Sequence, residues 1–186
     1  DITNLEFMRF LFESFDLKGN ILVESDEVIS KGEYKVIQFH PAYSYEDFVR
    51  GITAKANLDN QIEYIVENRI LSQFAEKALE NKSANFVLII DEINRANLPA
   101  VLGELIYALE YRFDEINPKE TTVESLYALK NEDEPEKEES KELRLPQNLF
   151  IIGTMNTADR SVGHIDYAIR RRFAFADILP SKTPIH

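Results

Sequence analysis

Two stretches decide how this chain is read: Phe86–Asn97 (FVLIIDEINRAN) and Leu149–Phe173 (LFIIGTMNTADRSVGHIDYAIRRRF). Each opens on a continuous apolar run, the pattern of a strand buried on both faces of a parallel sheet. Each then switches abruptly to carboxylate, amide and guanidinium groups. Open α/β sheets present their chemistry in this way, at the carboxyl ends of parallel strands. The usual third member of such a site in a nucleotide hydrolase, a glycine loop that cradles phosphate, is missing. None of the six glycines stands in a G-x-x-x-x-G-K-[ST] arrangement.

Working outward, Leu98–Glu110 reads as an amphipathic helix, with Asn97 as its cap and Pro99 in its first turn. Its buried face is Leu98, Val101, Leu102, Leu105, Ile106 and Leu109. Leu71–Glu80 is also helical, with Leu71, Phe74, Ala75, Ala78 and Leu79 at helical spacing. Ile62–Glu67 fits either a strand or a helix. Tyr34–Phe39 alternates as a strand, and an aromatic loop of mixed polarity follows over His40–Gly51. Further upstream, Ile21–Glu24 is a short strand candidate. Asn4 is placed to cap a helix to about Phe15, with Leu5, Met8, Leu11 and Phe12 on one face.

Asn131–Glu142 (NEDEPEKEESKE) is charge-rich and reads as a solvated loop or disordered insertion, with an acidic partner-binding tail as the functional alternative. Leu149–Ile152 is the second buried strand, Ser161–Arg172 a helix, and Phe173–Leu179 a last alternating strand. Strands and helices in alternation predict a layered α/β sheet. The chain is expected to form one domain over residues 1–180, with a tail over 181–186.

Composition narrows the function. The chain has 186 residues and a formal net charge of −12. That acidity argues against a broad duplex-binding surface, which needs clustered Lys and Arg. The Arg170-Arg171-Arg172 run is a local basic exception. There is no cysteine, so neither disulfides nor thiolate metal sites are available. His40, His164 and His186 show no ligand spacing. No apolar stretch is long enough to span a membrane and no secretory signal is visible, so a cytoplasmic protein is expected.

The chemistry-bearing residues follow from the strand ends. Asp91 and Glu92 sit directly after FVLII and point in different directions, so they can divide two tasks. Asp91 can hold Mg²⁺, directly or through water, while Glu92 polarises a water for attack on a γ-phosphate. The structural alternative is a pair of acids capping the next helix. Asn156, beyond the second strand, can donate to a phosphate oxygen and accept from the attacking water; the alternative is a turn-forming Asn. Arg160, beside Asp159, can reach phosphate or simply pair with an acid at the surface. One arginine of the 170–172 run is explained by the helix dipole. Three exceed that need, and one can project into a neighbouring subunit to neutralise charge developing on its γ-phosphate.

Together these segments resemble the AAA+ ATPases and, within them, the McrB family, the GTP-hydrolysing motor subunits of modification-dependent restriction systems. DEINRAN (Asp91–Asn97) looks like that family's Walker B segment. MNTADRS (Met155–Ser161) looks like its signature around the first sensor. DYAIRRRF (Asp166–Phe173) looks like its arginine-finger region, and FHPAYSYEDF (Phe39–Phe48) like the segment after its second strand. The resemblance implies Asp91 on Mg²⁺, Glu92 on the attacking water and Asn156 as first sensor. It places Asp159 and Arg160 in the signature loop and Arg171, or a neighbour in the Arg170–Arg172 run, in trans across a ring interface. Asn94 and Arg95 match the motif without an individual task.

The implied cofactors are Mg²⁺ with GTP or ATP. The implied partners are AAA+ ring neighbours and a McrC-like nuclease, with DNA reached indirectly. The expected fold is a partial AAA+ sandwich of mostly parallel strands that lacks the Walker A strand and the helical lid, so the chain alone is expected to hydrolyse nucleotide negligibly. Ile21–Glu24 is a candidate for the vacated sheet position. The rival reading is a degenerate AAA+ interaction subunit that supplies arginines in trans and binds no nucleotide. The DEINRAN and MNTADR strings count against another branch, such as the MoxR or dynein-related ATPases.

Overall fold

The computed structural model describes residues 32–57, 59–129, 140–156 and 165–176. In chain order, β1 (Glu33–Gln38) is followed by α1 (Tyr45–Phe48), β2 (Arg50–Ala56), β3 (Ile62–Asn68) and α2 (Ile70–Glu80). Then come β4 (Phe86–Asp91), a 3₁₀ turn (Ile93–Arg95), α3 (Leu98–Leu102) and α4 (Leu105–Glu110). The last elements are β5 (Val123–Leu129), β6 (Ser140–Leu143), β7 (Leu149–Gly153) and α5 (Tyr167–Arg170).

The architecture is α/β. A central sheet runs in the order β1-β4-β7 with both pairings parallel, and two antiparallel hairpins, β2-β3 and β5-β6, flank it. The two apolar runs are neighbours in this sheet, Phe86 aligned with Leu149 and Ile90 with Gly153. On one face, Phe86, Leu88, Ile90 and Leu149 are buried. They pack with Leu71, Phe74 and Ala78 of α2 and with Leu98, Val101, Leu102 and Leu105 of α3 and α4 in one core. The opposite face leaves Tyr34, Val36 and Phe150 exposed.

Several expectations are met and several are corrected. Residues 62–67 form a strand, paired with β2 from Arg50↔Asn68 to Ala56↔Ile62. Residues 40–51 are more than a loop: Ser44 caps α1 in a capping box with Asp47, and β2 starts at Arg50. The capping Ser44 also donates its hydroxyl to Asp47 Oδ2 at 2.7 Å.

The helix expected over 98–110 is two helices, broken at Gly103, which adopts φ +52. A Cβ there would stand 3.2 Å from the Tyr45 ring, so glycine satisfies both the left-handed backbone and the close approach. Residues 140–142, expected within the acidic loop, belong to β6, which pairs with β5. Its partner β5 has no clean apolar stripe, since Ser125 is buried and Leu126 exposed. Residues 173–176 form no strand, and the described part of the 161–172 helix is the single turn α5. The helix expected from Asn4, the strand at 21–24, the sheet position proposed for it, most of the acidic loop and the 181–186 tail lie outside the described residues, as do Asp159 and Arg160.

Candidate functional site

Asp91 is the last residue of the central strand and pairs in register with Gln38, the last residue of β1. Gln38 Nε2 donates to Asp91 Oδ2 at 3.0 Å, and Thr154 Oγ1 donates to Asp91 Oδ1 at 2.6 Å. Side chains at the ends of all three parallel strands therefore converge on one carboxylate. Each Asp91 oxygen accepts one bond and keeps a second lone pair for another donor.

The strand stops because the backbone turns sharply. Glu92 has φ 53 and ψ 44, the left-handed region. For a non-glycine residue that conformation costs about 1–3 kcal/mol and persists only where the surroundings over-determine it. Here the end of β7 does so. The Glu92 amide donates to Thr154 Oγ1 at 3.3 Å, the Ile93 amide to the Thr154 carbonyl at 2.9 Å, and the Thr154 amide to the Ile90 carbonyl at 2.9 Å. Gly153 makes room for this closure, because a Cβ there would stand 2.8 Å from Ile93 Cδ1. The Thr154 hydroxyl thus links the two acids, accepting from the Glu92 backbone and donating to the Asp91 side chain.

The turn aims the Glu92 side chain differently from Asp91. Its Oε2 is buried and accepts no hydrogen bond, although Arg95 Nε lies 3.3 Å away in an i,i+3 ion pair. The pair is close enough for attraction but lacks hydrogen-bond geometry, so the carboxylate retains acceptor capacity. Asn94 Oδ1 is likewise buried without a hydrogen bond. Asn156 is exposed, two residues beyond Thr154.

The three arginines separate. Arg172 turns inward: its Nη2 stands 3.0 Å from Glu110 Oε2 at the end of α4, and its Nη1 donates to the Ala168 carbonyl at 2.5 Å. Its side chain is only 8% exposed, so Arg172 is a structural tie. Arg170 and Arg171 are exposed, with the Arg170 guanidinium 5.0 Å from the centre of the Phe175 ring. This run is attached to α4, whereas Asp91, Glu92, Asn94 and Asn156 share the sheet edge.

The 39–48 segment holds the scaffold. Phe39, Tyr43 and Phe48 pack together, Phe48 meeting the other two rings edge-on, and Phe39 and Phe48 are fully buried. The Tyr45 hydroxyl donates to Glu104 Oε1 and lies 2.9 Å from Ser125 Oγ, tying α1 to the α3–α4 break and to β5. Burial, and then the bond to Glu104, push the Tyr45 phenol above its ordinary 10.0. Gln38 and Thr154 were not anticipated as site residues. The available signal was that each is a polar residue at the end of a stretch that reads as a strand.

Among the described residues, no three acidic, histidine or cysteine side chains gather closely enough to hold a metal unaided. Also among the described residues, no helix is long and apolar enough to cross a membrane.

Comparison with known proteins adds three findings. The AAA domain family (dynein-related subfamily) matches residues 18–173, a span that includes all four segments quoted above. The DEINRAN and MNTADR strings therefore do not set the chain apart from the dynein-related branch. Two curated proteins are similar. The type IV methyl-directed restriction enzyme EcoKMcrB subunit of Escherichia coli (strain K12) is 38% identical over 145 residues, 78% of this chain and 28% of its own length. The type II restriction enzyme BsuMI component YdiS of Bacillus subtilis (strain 168) is 31% identical over 150 residues, 77% of this chain and 42% of its own. The chain thus spans less than half the length of either relative. A solved structure of a candidate ATPase from Cytophaga hutchinsonii aligns with 80% of this chain and 34% of its own at 17% identity and a TM-score of 0.44, too weak a likeness to carry an argument.

Proposed function

The chain belongs to the AAA domain family, dynein-related subfamily, and from that membership we propose that it is the nucleotide-hydrolysing core of a McrB-like motor in a DNA restriction system. The observation that carries the reading is the edge built on Asp91 and Glu92. A carboxylate is fixed by Gln38 and Thr154, and a second one is held by a left-handed turn with a buried, unbonded oxygen. One acid is oriented and the other is poised, which is the division of labour that hydrolysis of a nucleoside triphosphate requires. Both similar proteins are restriction enzyme components, which supports the biological setting.

In this reading Asp91 would hold Mg²⁺, directly or through water, and the ion would supply positive charge beside the phosphates of GTP or ATP. Gln38 and Thr154 keep the Asp91 carboxylate from rotating as its outer lone pairs are used. Glu92 accepts a hydrogen bond from the attacking water on the far side of the turn. Asn156 bridges that water and a phosphate oxygen. Asp159 and Arg160 belong to the same loop. Arg170 and Arg171, both exposed, are the arginines available to a neighbouring subunit in a ring, while Arg172 is committed to Glu110. Residues 1–180 act as one core domain, and the partner that cuts DNA is a McrC-like nuclease.

The test is turnover of GTP and ATP by the chain extended to the length of its relatives. Glu92→Gln is expected to lower kcat by at least ~10²-fold, the lower end for loss of a positioned general base, while nucleotide binding measured by calorimetry persists. Asp91→Ala is expected to weaken Mg²⁺-dependent binding itself. Unchanged turnover in Glu92→Gln would sink the assignment. The 186-residue chain by itself is expected to show no measurable turnover, and activity there would remove the need for a separate phosphate loop.

A further inference from the structure

Gln38, Asp91 and Thr154 form one row across the central sheet. The parallel register sets Gln38 opposite Asp91, and the pairing of Ile90 with Gly153 brings Thr154 beside the same acid. Side chains alternate along each strand, so the rows behind this one on the same face are Val36–Ile89–Ile152 and Tyr34–Val87–Phe150. Both are apolar. A valine at 154 would continue the column Phe150–Ile152, so packing alone gives no reason for a hydroxyl there.

The chemistry of its neighbours fixes the direction of that hydroxyl. A backbone N–H only donates and a carboxylate only accepts. Thr154 Oγ1 therefore accepts from the Glu92 amide at 3.3 Å and gives its single proton to Asp91 Oδ1 at 2.6 Å. The result is a chain from the Glu92 N–H through the Thr154 O–H to Asp91, in which each bond polarises the next. Gln38 donates to the other carboxylate oxygen, Oδ2, at 3.0 Å. Among the described residues its side chain makes no hydrogen bond to Glu92.

Of the bonds that hold the left-handed turn, only the one to Thr154 Oγ1 depends on a side chain. The Ile93 amide donates to the Thr154 carbonyl and the Thr154 amide to the Ile90 carbonyl, and any residue but proline at 154 would keep both. We propose that Thr154 is a positioning residue of the hydrolytic step: its hydroxyl fixes the Glu92 backbone against the Asp91 carboxylate, while Gln38 serves Asp91 alone. That role rests on the assignment of Asp91 and Glu92 to nucleotide hydrolysis. Thr154 and Gln38 are both exposed, so water can satisfy their partners when either side chain is removed. A water is tied to neither strand, however, and does not hold the two acids at a set separation. The loss is therefore expected in the rate and not in the stability of the fold.

Thr154→Val and Gln38→Leu are a matched pair, since each takes one donor from Asp91. In the chain extended to the length of its relatives, both should weaken Mg²⁺-dependent binding of GTP or ATP, read by calorimetry, to a similar degree. Only Thr154→Val also reaches Glu92. Its kcat should fall about tenfold below that of Gln38→Leu, the rate equivalent of one ordinary hydrogen bond. Thr154→Ser keeps the hydroxyl and should recover most of that kcat. Circular dichroism checks that the fold persists in all three.

The 186-residue chain gives a second readout that needs no nucleotide. The Glu92 amide should exchange with solvent faster in Thr154→Val than in the parent, Thr154→Ser or Gln38→Leu. The Ile93 amide, bonded to a backbone carbonyl, serves as the reference. Equal kcat in Thr154→Val and Gln38→Leu, a Thr154→Ser variant as slow as Thr154→Val, or an unchanged Glu92 amide would each overturn the inference. Glu92→Gln, run alongside, separates the two levels. Parental turnover in Glu92→Gln would dismiss the assignment of Glu92 and the role of Thr154 with it. An inactive Glu92→Gln beside a Thr154→Val no slower than Gln38→Leu would dismiss the role of Thr154 alone.

Discussion

Arg50→Ala should be the most damaging single substitution outside the apolar core. The Arg50 guanidinium is 1% exposed and is divided among four acceptors on three strands. It donates to Asn68 Oδ1 at 2.9 Å, to the Tyr127 carbonyl at 2.9 Å, to the Ser140 carbonyl at 3.2 Å and to the Glu142 carbonyl at 3.1 Å. It is thus the fastener between the two hairpins. Hydrogen bonds from a charged donor contribute about 1.5–3 kcal/mol each, but they do not add, since the freed carbonyls can take water once β5-β6 lifts away. The cost is therefore capped by undocking of that hairpin, at about 3–5 kcal/mol, the range for removing one member of a buried charged contact. For a chain of this size that is a fall in Tm of about 10 °C. Urea denaturation followed by circular dichroism measures the loss. Amide exchange locates it, with β5 and β6 exchanging faster than β4. Arg50→Lys keeps the charge without the planar fork and should lose about half as much. If Arg50→Ala unfolds within ~1 kcal/mol of the parent, the hairpins are not held by this side chain and the reasoning fails.

Two further substitutions probe the scaffold more locally. Gly153→Ala should cost about 1–3 kcal/mol by overpacking, because its Cβ would press on Ile93 Cδ1 at 2.8 Å and Cγ2 at 3.0 Å. Adding Ile93→Val deletes Cδ1 and should recover part of that loss, so a double variant no better than the single one would assign the glycine another role. The Glu46 carboxyl is held below its ordinary 4.5 by a backbone N–H of Glu46 itself and by the Tyr127 hydroxyl, which donates at 2.8 Å. A depressed carboxyl stabilises the fold above its unfolded value and loses that contribution as pH falls through its folded value. Tyr127→Phe should therefore be less stable than the parent near neutral pH and converge with it in acid, once pH has fallen through the lowered folded value of Glu46; a gap that persists there would place the effect of the tyrosine elsewhere.

Much of the framework was legible in the order of residues alone. The apolar runs at 86–90 and 149–152 became adjacent parallel strands, and the periodic stretch at 71–80 became α2. Asn97 caps α3 as expected, accepting from the Ala100 amide. These are nearest-neighbour signals: burial on both faces, helical spacing and capping are properties of a few consecutive side chains. The 123–129 strand escaped notice because its inward position Ser125 is polar and its outward position Leu126 is apolar, the inverse of the usual pattern. The buried serine is satisfied by the Tyr127 amide, which donates to it at 3.1 Å, and by the Tyr45 hydroxyl, 80 residues away in the chain.

What the sequence determined by itself is the family of the chain and the position of its acids at strand ends, because a run such as FVLIIDE carries both burial and chemistry in seven adjacent residues. What only the tertiary structure decided is which groups cooperate. Gln38 and Thr154 lie 53 and 63 residues from Asp91, and strand register alone puts their hydrogen bonds on its two oxygens. The left-handed turn at Glu92 is stable because the glycine that ends β7 and the threonine after it close over it. Arg172 cannot be told from its neighbours until Glu110 is seen to take it. Register and packing are relations between distant segments, and no window of consecutive residues contains them.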